Sequence, residues 1–222
     1  MVRYLHGRAN LMRLFSGMAA GYLVSVTLVR ILPEAMIRGG EAAAFWALGG
    51  FLLVHFIEHG ISSHFHYGEE THVHEGSNLT GVMALVGLAL HSCMDGMALT
   101  AAMRVQTNLG MLVFLGILLH RIPEGATISS IFLVRGFGSR GAIIAAGILA
   151  AAAMAGSMGQ DYLKLPVGPV LGLAGGLGLY VASADLLPQV QREKGWKSTL
   201  SLAAGIVLFL ITASLAPHHH GA

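Results

Sequence analysis

Charge is what this chain has least of. Only 11% of its 222 residues are Asp, Glu, Lys or Arg, against about 25% in an ordinary soluble domain. With 55% hydrophobic residues and a mean hydropathy of +0.69, a water-soluble globule is excluded. Cysteine occurs once, as Cys93, so no intramolecular disulfide can form. Cys93 reads as a small packing residue, with soft metal ligation as the alternative. The formal net charge is +2 and no basic run is present, which leaves nothing to hold a nucleic acid. Arg3 and Arg8 head the chain, but no small-residue cleavage site follows the first apolar run. A removed signal peptide is therefore not expected.

What the chain has instead is apolar runs long enough to cross a bilayer, which takes about 20 helical residues. About seven are legible, at 11–32, 41–63, 78–103, 108–134, 139–160, 165–190 and 196–216. The expected fold is all-α: a polytopic transmembrane helix bundle forming a single domain over 1–222. Thirty glycines suit close helix packing in lipid. Gly17 and Gly21 make a GxxxG in the first span, and Gly168, Gly172 and Gly176 repeat every four residues in the sixth. Pro33, followed by Glu34, is expected to end the first span, and Arg30 can snorkel to the interface there.

One motif is written twice. It reads His91-Ser92-Cys93-Met94-Asp95-Gly96 and again His120-Arg121-Ile122-Pro123-Glu124-Gly125. A spacing of four puts each His and its carboxylate on one helix face. The third and fourth spans, which carry the copies, are joined by the short link 104–108 and are therefore antiparallel neighbours. An Asp at mid-membrane costs roughly 2.5–3.5 kcal/mol on an insertion scale, so these acids need partners. Polar glue between helices is one reading. A divalent-metal site of two imidazoles and two carboxylates, His91, Asp95, His120 and Glu124, is the other. Two copies in one register, each followed by glycine, favour the metal. Pro123 is expected to kink its helix and free the Leu119 carbonyl, opening room for an ion.

Three further groups carry polar chemistry. His55, Glu58 and His59 match the His-x-x-Glu-His signature of some zinc proteases. No third ligand announces itself, so they read better as the polar mouth of the second span. The loop 64–76 holds His64, His66, His72 and His74 among acids, and such a segment binds transition metals weakly. Asp185, in Asp185-Leu186-Leu187-Pro188, either passes an ion or caps the bundle. Loop charges set the orientation. Arg3, Arg8, Arg13, Arg135, Arg140, Arg192, Lys194 and Lys197 fall on one side; Arg38, Arg104 and Lys164 fall on the other. The first side is read as cytoplasmic. The amino terminus and the His-rich loop 64–76 are then inside and the carboxyl terminus outside, in a cell (inner) membrane.

The two motifs resemble helices four and five of the ZIP (Zrt/Irt-like) family of divalent-metal transporters. Leu32-Pro33-Glu34-Ala35 is similar to the end of that family's second helix, and the His-rich loop to the one between its helices three and four. The resemblance covers nearly the whole chain, as family helices two to eight, with no counterpart of the first helix. It implies a membrane transporter, not an enzyme, that binds a divalent ion mid-membrane. Zinc is the first expectation, and Fe²⁺, Mn²⁺ and Cd²⁺ remain open. Members with a two-metal centre carry Asn after the first His, an acid after the helix-five ligand and an acid on helix six. Here Ser92 and Arg121 stand at the first two positions, and the fifth span has no interior acid. A mononuclear site is expected, with Arg121 as a fixed charge in place of a second ion. The alternative function is a metal-binding membrane protein that senses or buffers without transport. The partners implied are the metal ion and the bilayer; a homodimer is left open. Binding needs neutral His and ionised acid, so affinity is expected to fall as the pH approaches the imidazole range.

Overall fold

The computed structural model describes residues 2–57, 78–191 and 196–215. Among these residues the chain is almost entirely helical, with no strand. The elements are α1 (Val2–Val26), α2 (Leu32–Gly39), α3 (Ala42–Phe56), α4 (Asn78–Val105), α5 (Thr107–Val134), α6 (Gly138–Leu163), α7 (Val167–Tyr180), α8 (Leu187–Gln191) and α9 (Trp196–Leu215). Two π-helical turns, Thr27–Ile31 and Val181–Leu186, join α1 to α2 and α7 to α8. Six helical stretches among the described residues are long and apolar enough to cross a membrane, beside the shorter Ala42–Phe56. The second span of the sequence reading is described only as far as residue 57.

Pro33 does not end the first span, contrary to the sequence reading. The helix passes through it and stops at Gly40, whose φ of 59° suits glycine. The π turn explains the continuity. Proline lacks an N–H and its ring crowds the carbonyl four residues back. Here the Leu32 N–H reaches the Thr27 carbonyl, five residues back, which widens the turn ahead of the ring. The second Leu-Pro pair behaves alike, with the Leu187 N–H on the Ala182 carbonyl. In α5, Pro123 is buried inside a helix that runs unbroken past it.

Burial separates centre from periphery. The windows in Leu11–Gly39 and Val167–Leu186 are each 61% buried, against 22% for Gly138–Leu163 and 17% for Trp196–Leu215. Ile143, Ile144, Met154 and Met158 of α6 face outward, as side chains that meet lipid do. Glycine lets the helices touch. On α7, Gly172 and Gly176 lie against the Ala43 and Ala47 carbonyls of α3. On α4, Gly96 lies against the Ala153 carbonyl of α6, and Gly156 of α6 against the Cys93 carbonyl. Cys93 is partly buried at this contact.

The two motif glycines therefore do different work. A Cβ on Gly96 would collide with backbone, whereas one on Gly125 would meet nothing within 4 Å. Gly96→Ala is expected to destabilise the folded protein by about 1–3 kcal/mol, the usual cost of overpacking. Gly125→Ala should be neutral or slightly stabilising, since alanine favours helix by about 1 kcal/mol over glycine. Thermal unfolding in detergent checks the contrast. Equal melting temperatures for the two variants would contradict it.

Candidate metal centre

A single extended residue, Gln106 (φ −162°, ψ 134°), separates α4 from α5. The two helices therefore fold back on each other, and their polar faces meet. His91 and Asp95 stand one turn apart on α4, and His120 faces them from α5. Asp95 and His120 are buried to 7% and 3% exposure. His91 Nε2 lies 3.4 Å from His120 Nε2 and 3.4 Å from Asp95 Oδ2. His120 Nε2 lies 3.1 Å from Asp95 Oδ2. The three atoms form a nearly equilateral triangle. A tetrahedral Zn²⁺ with bonds near 2.05 Å has donor–donor edges of about 3.3 Å.

The protonation of His120 sharpens this geometry. Its Nδ1 lies 2.9 Å from the Gly116 carbonyl, which can only accept, so the Nδ1–H donates there. The neutral ring then turns an Nε2 lone pair towards a carboxylate oxygen. Two electron-pair donors at that distance need a cation between them, a proton or a metal ion. A backbone-tied Nδ1–H is also the arrangement that orients an imidazole for ligation through Nε2.

Arg121 supplies the opposing charge. Its guanidinium donates to Asp95 Oδ2 at 3.0 Å, to Glu124 Oε2 at 2.5 Å and to Ser92 Oγ at 2.6 Å. One side chain thus ties α4 to α5 and holds both motif carboxylates. Among the described residues, His91, Asp95 and His120 form the group whose donor atoms all lie within 4.8 Å of one another. Glu124 is outside that group. It is 3% exposed, with Oε2 on Arg121 and Oε1 without a protein hydrogen-bond partner. Three of the four expected ligands are brought together, and the fourth, Glu124, is hydrogen-bonded to Arg121 beside them.

The remaining candidates are scattered. Asp185, in the second π turn, is 5% exposed and shares a cavity of about 230 Å³ with His91, His120 and Glu124. His55 lies elsewhere on α3, half-buried, with its ring edge-on to Tyr180 at 6.0 Å. Glu58, His59, His64, His66, His72 and His74 lie outside the described residues. In the sequence, Ser92 stands out only as a departure from a family pattern. Its contact with Arg121 had one available signal: the two residues follow the two histidines in the same register.

A bilayer-length helical bundle with a cation-attracting cluster between two antiparallel helices defines a polytopic membrane protein of the metal-handling class. The particular family follows from comparison with known proteins: residues 68–213 match the ZIP zinc transporter family. The chain belongs to that family. It is 26% identical over 238 residues to zinc transporter ZIP13 of Pongo abelii, covering 95% of this chain and 69% of that protein. It is 27% identical over 198 residues to zinc transporter ZIP9 of Micropogonias undulatus, covering 77% and 63%. It is 28% identical over 153 residues to zinc transporter SLC39A7 of Homo sapiens, of which it spans 32%.

Proposed function

We propose that this chain carries a divalent transition-metal ion, zinc foremost, across a membrane and into the cytoplasm. The ion is bound by His91, Asp95 and His120, and Glu124 joins as fourth ligand. The triangle of His91 Nε2, His120 Nε2 and Asp95 Oδ2, with edges of 3.1–3.4 Å, carries the reading. Two nitrogens and two oxygens suit Zn²⁺ and leave Fe²⁺, Mn²⁺ and Cd²⁺ as further candidates. The names of the relatives support zinc over the others.

The rest of the proposal follows from charge. The Lys and Arg distribution favours a cytoplasmic amino terminus and an external carboxyl terminus in a cell membrane. The His-rich loop 64–76 then collects or senses the ion on the cytoplasmic side, and Asp185 offers it a carboxylate within the larger cavity. The whole chain acts as one transmembrane domain, and a pair of chains would place two such pathways side by side.

Radioactive ⁶⁵Zn uptake into proteoliposomes tests the function. Vesicles containing the protein are expected to accumulate zinc well above protein-free vesicles. One observation favours a second reading, a metal-binding sensor or buffer: Arg121 bridges both carboxylates of the site. That reading predicts zinc bound at about one per chain with uptake no greater than in protein-free vesicles. An intramembrane protease built on His55, Glu58 and His59 would instead be inactivated by His55→Ala while ignoring changes at His91.

A further inference from the structure

Two cavities meet at the donor triangle. On α4, the larger is lined by Met83, Gly87 and His91, and the smaller by His91, Asp95 and Ala98. On α5, the larger takes His120 and Glu124, and the smaller Val113, Ile117 and His120. The helices are antiparallel, so both series run the same way. The cavities are stacked along the helix axes, with the triangle between them.

The smaller cavity holds about 30 Å³. That is room for very few water molecules, about 10–15 Å³ being enough for each. Beyond the triangle its walls are apolar, with one exception. Thr27, in the first π turn, lines it. Its side chain is fully buried, and its Oγ1 has no hydrogen-bond partner in the protein. Several other helical hydroxyls fold back onto the carbonyl four residues earlier, as Ser25 does on Gly21, Thr127 on Pro123 and Thr212 on Leu208. Thr27 does not. Gly178 faces it, and a Cβ there would stand 3.0 Å from Oγ1, so space is kept open in front of the hydroxyl. A buried hydroxyl without a partner is costly unless something polar visits it.

We propose that Thr27 Oγ1 and the Asp95 carboxylate form a transit site, in this small cavity, for the divalent cation stripped of most of its water. The proposal rests on the transport reading above and adds a step to it. The smaller cavity, about 30 Å³ against about 230 Å³ for the larger, is too narrow for a full hydration shell of several waters. Two protein oxygens replace part of the lost shell and keep the barrier low beside apolar walls. The larger cavity adjoins the first half of α4, which follows the loop 64–76. In the orientation proposed above, the Thr27 site is therefore the outer step. An inward-moving ion meets Thr27 first, the triangle next and the larger cavity last.

Two measurements test it. Thr27→Val keeps the shape and removes the oxygen; Thr27→Ser keeps the oxygen. Thr27→Val should lower the ⁶⁵Zn uptake rate about tenfold, while equilibrium zinc binding in detergent keeps its stoichiometry and affinity. Thr27→Ser should stay near wild type. Retained binding shows that the variant is folded. Wild-type uptake by Thr27→Val overturns the proposal. The second measurement needs no flux. Thr27→Cys in a Cys93→Ser background, titrated with Cd²⁺, should show thiolate-to-cadmium charge-transfer absorption that Cys93→Ser alone lacks. Cd²⁺ binding without that absorption also overturns it. If the wild type takes up no zinc, the transport reading falls, and the cadmium absorption still decides whether residue 27 reaches the ion.

Discussion

Replacing His120 with alanine should abolish zinc uptake and weaken zinc binding by more than about 100-fold. The size follows from position. His120 contributes one vertex of the triangle, and its Nδ1–H is already committed to the Gly116 carbonyl. Losing an outer partner of a metal-bound histidine typically costs about 10–100-fold in affinity, so losing the ligand itself costs more. The substitution also leaves Asp95 Oδ2 with His91 and Arg121 alone, which weakens the case for a cation to enter. His55→Ala supplies the control. That residue packs on Tyr180, outside the cluster, and its loss should leave zinc affinity within about twofold, as for changes away from a site. Isothermal titration and ⁶⁵Zn uptake on the same preparations read both quantities. Normal binding by His120→Ala would remove the triangle from the site.

Converting Arg121 to aspartate should raise the number of bound zinc ions from one per chain to two. In the metal-free site, two carboxylates and one guanidinium leave one net negative charge. A single divalent ion reverses it to one net positive charge. With Arg121→Asp, three carboxylates leave three negative charges, and two divalent ions restore the same final charge. Geometry points the same way. The guanidinium lies between Ser92, Asp95 and Glu124, so a carboxylate on that backbone position faces oxygen donors already in place. Arginine is always charged and never a ligand, which makes it an obligate competitor for cations at that point. Metal analysis after equilibrium dialysis gives the count, and a ratio that stays at one per chain would defeat the idea. Arg121→Gln removes the charge without adding a ligand. It should free Glu124 and tighten binding of the single ion, with no change in stoichiometry.

Much of this was legible from residues alone because it rests on local geometry. Apolar runs longer than a bilayer is thick imply helices, since only helices and closed barrels satisfy their own backbone there. The His-x-x-x-acid spacing places two donors on one face of any α-helix. The link of a few residues after Arg104 makes its neighbours antiparallel. One reading failed where a local rule met a non-local remedy. Proline near the end of the first span signalled a stop, yet a π turn carried the helix through to Gly39. Other features have no local signal: of the two motif glycines, only Gly96 presses on a neighbouring backbone. Arg121 donates to Asp95 and Glu124 alike, while only Asp95 stands in the group of three close donors.

The sequence by itself determined the class of protein, the helices and the faces that carry imidazole and carboxylate. These follow from hydropathy and the helical repeat, which act over one turn or one span. Only the tertiary structure decided which donors converge, that one arginine bridges both carboxylates and which hydroxyl lines a cavity. Those outcomes depend on how deep and at what rotation each helix packs. Backbone contacts between distant residues set that packing, such as Gly96 on Ala153 and Gly176 on Ala47, and no local pattern encodes it.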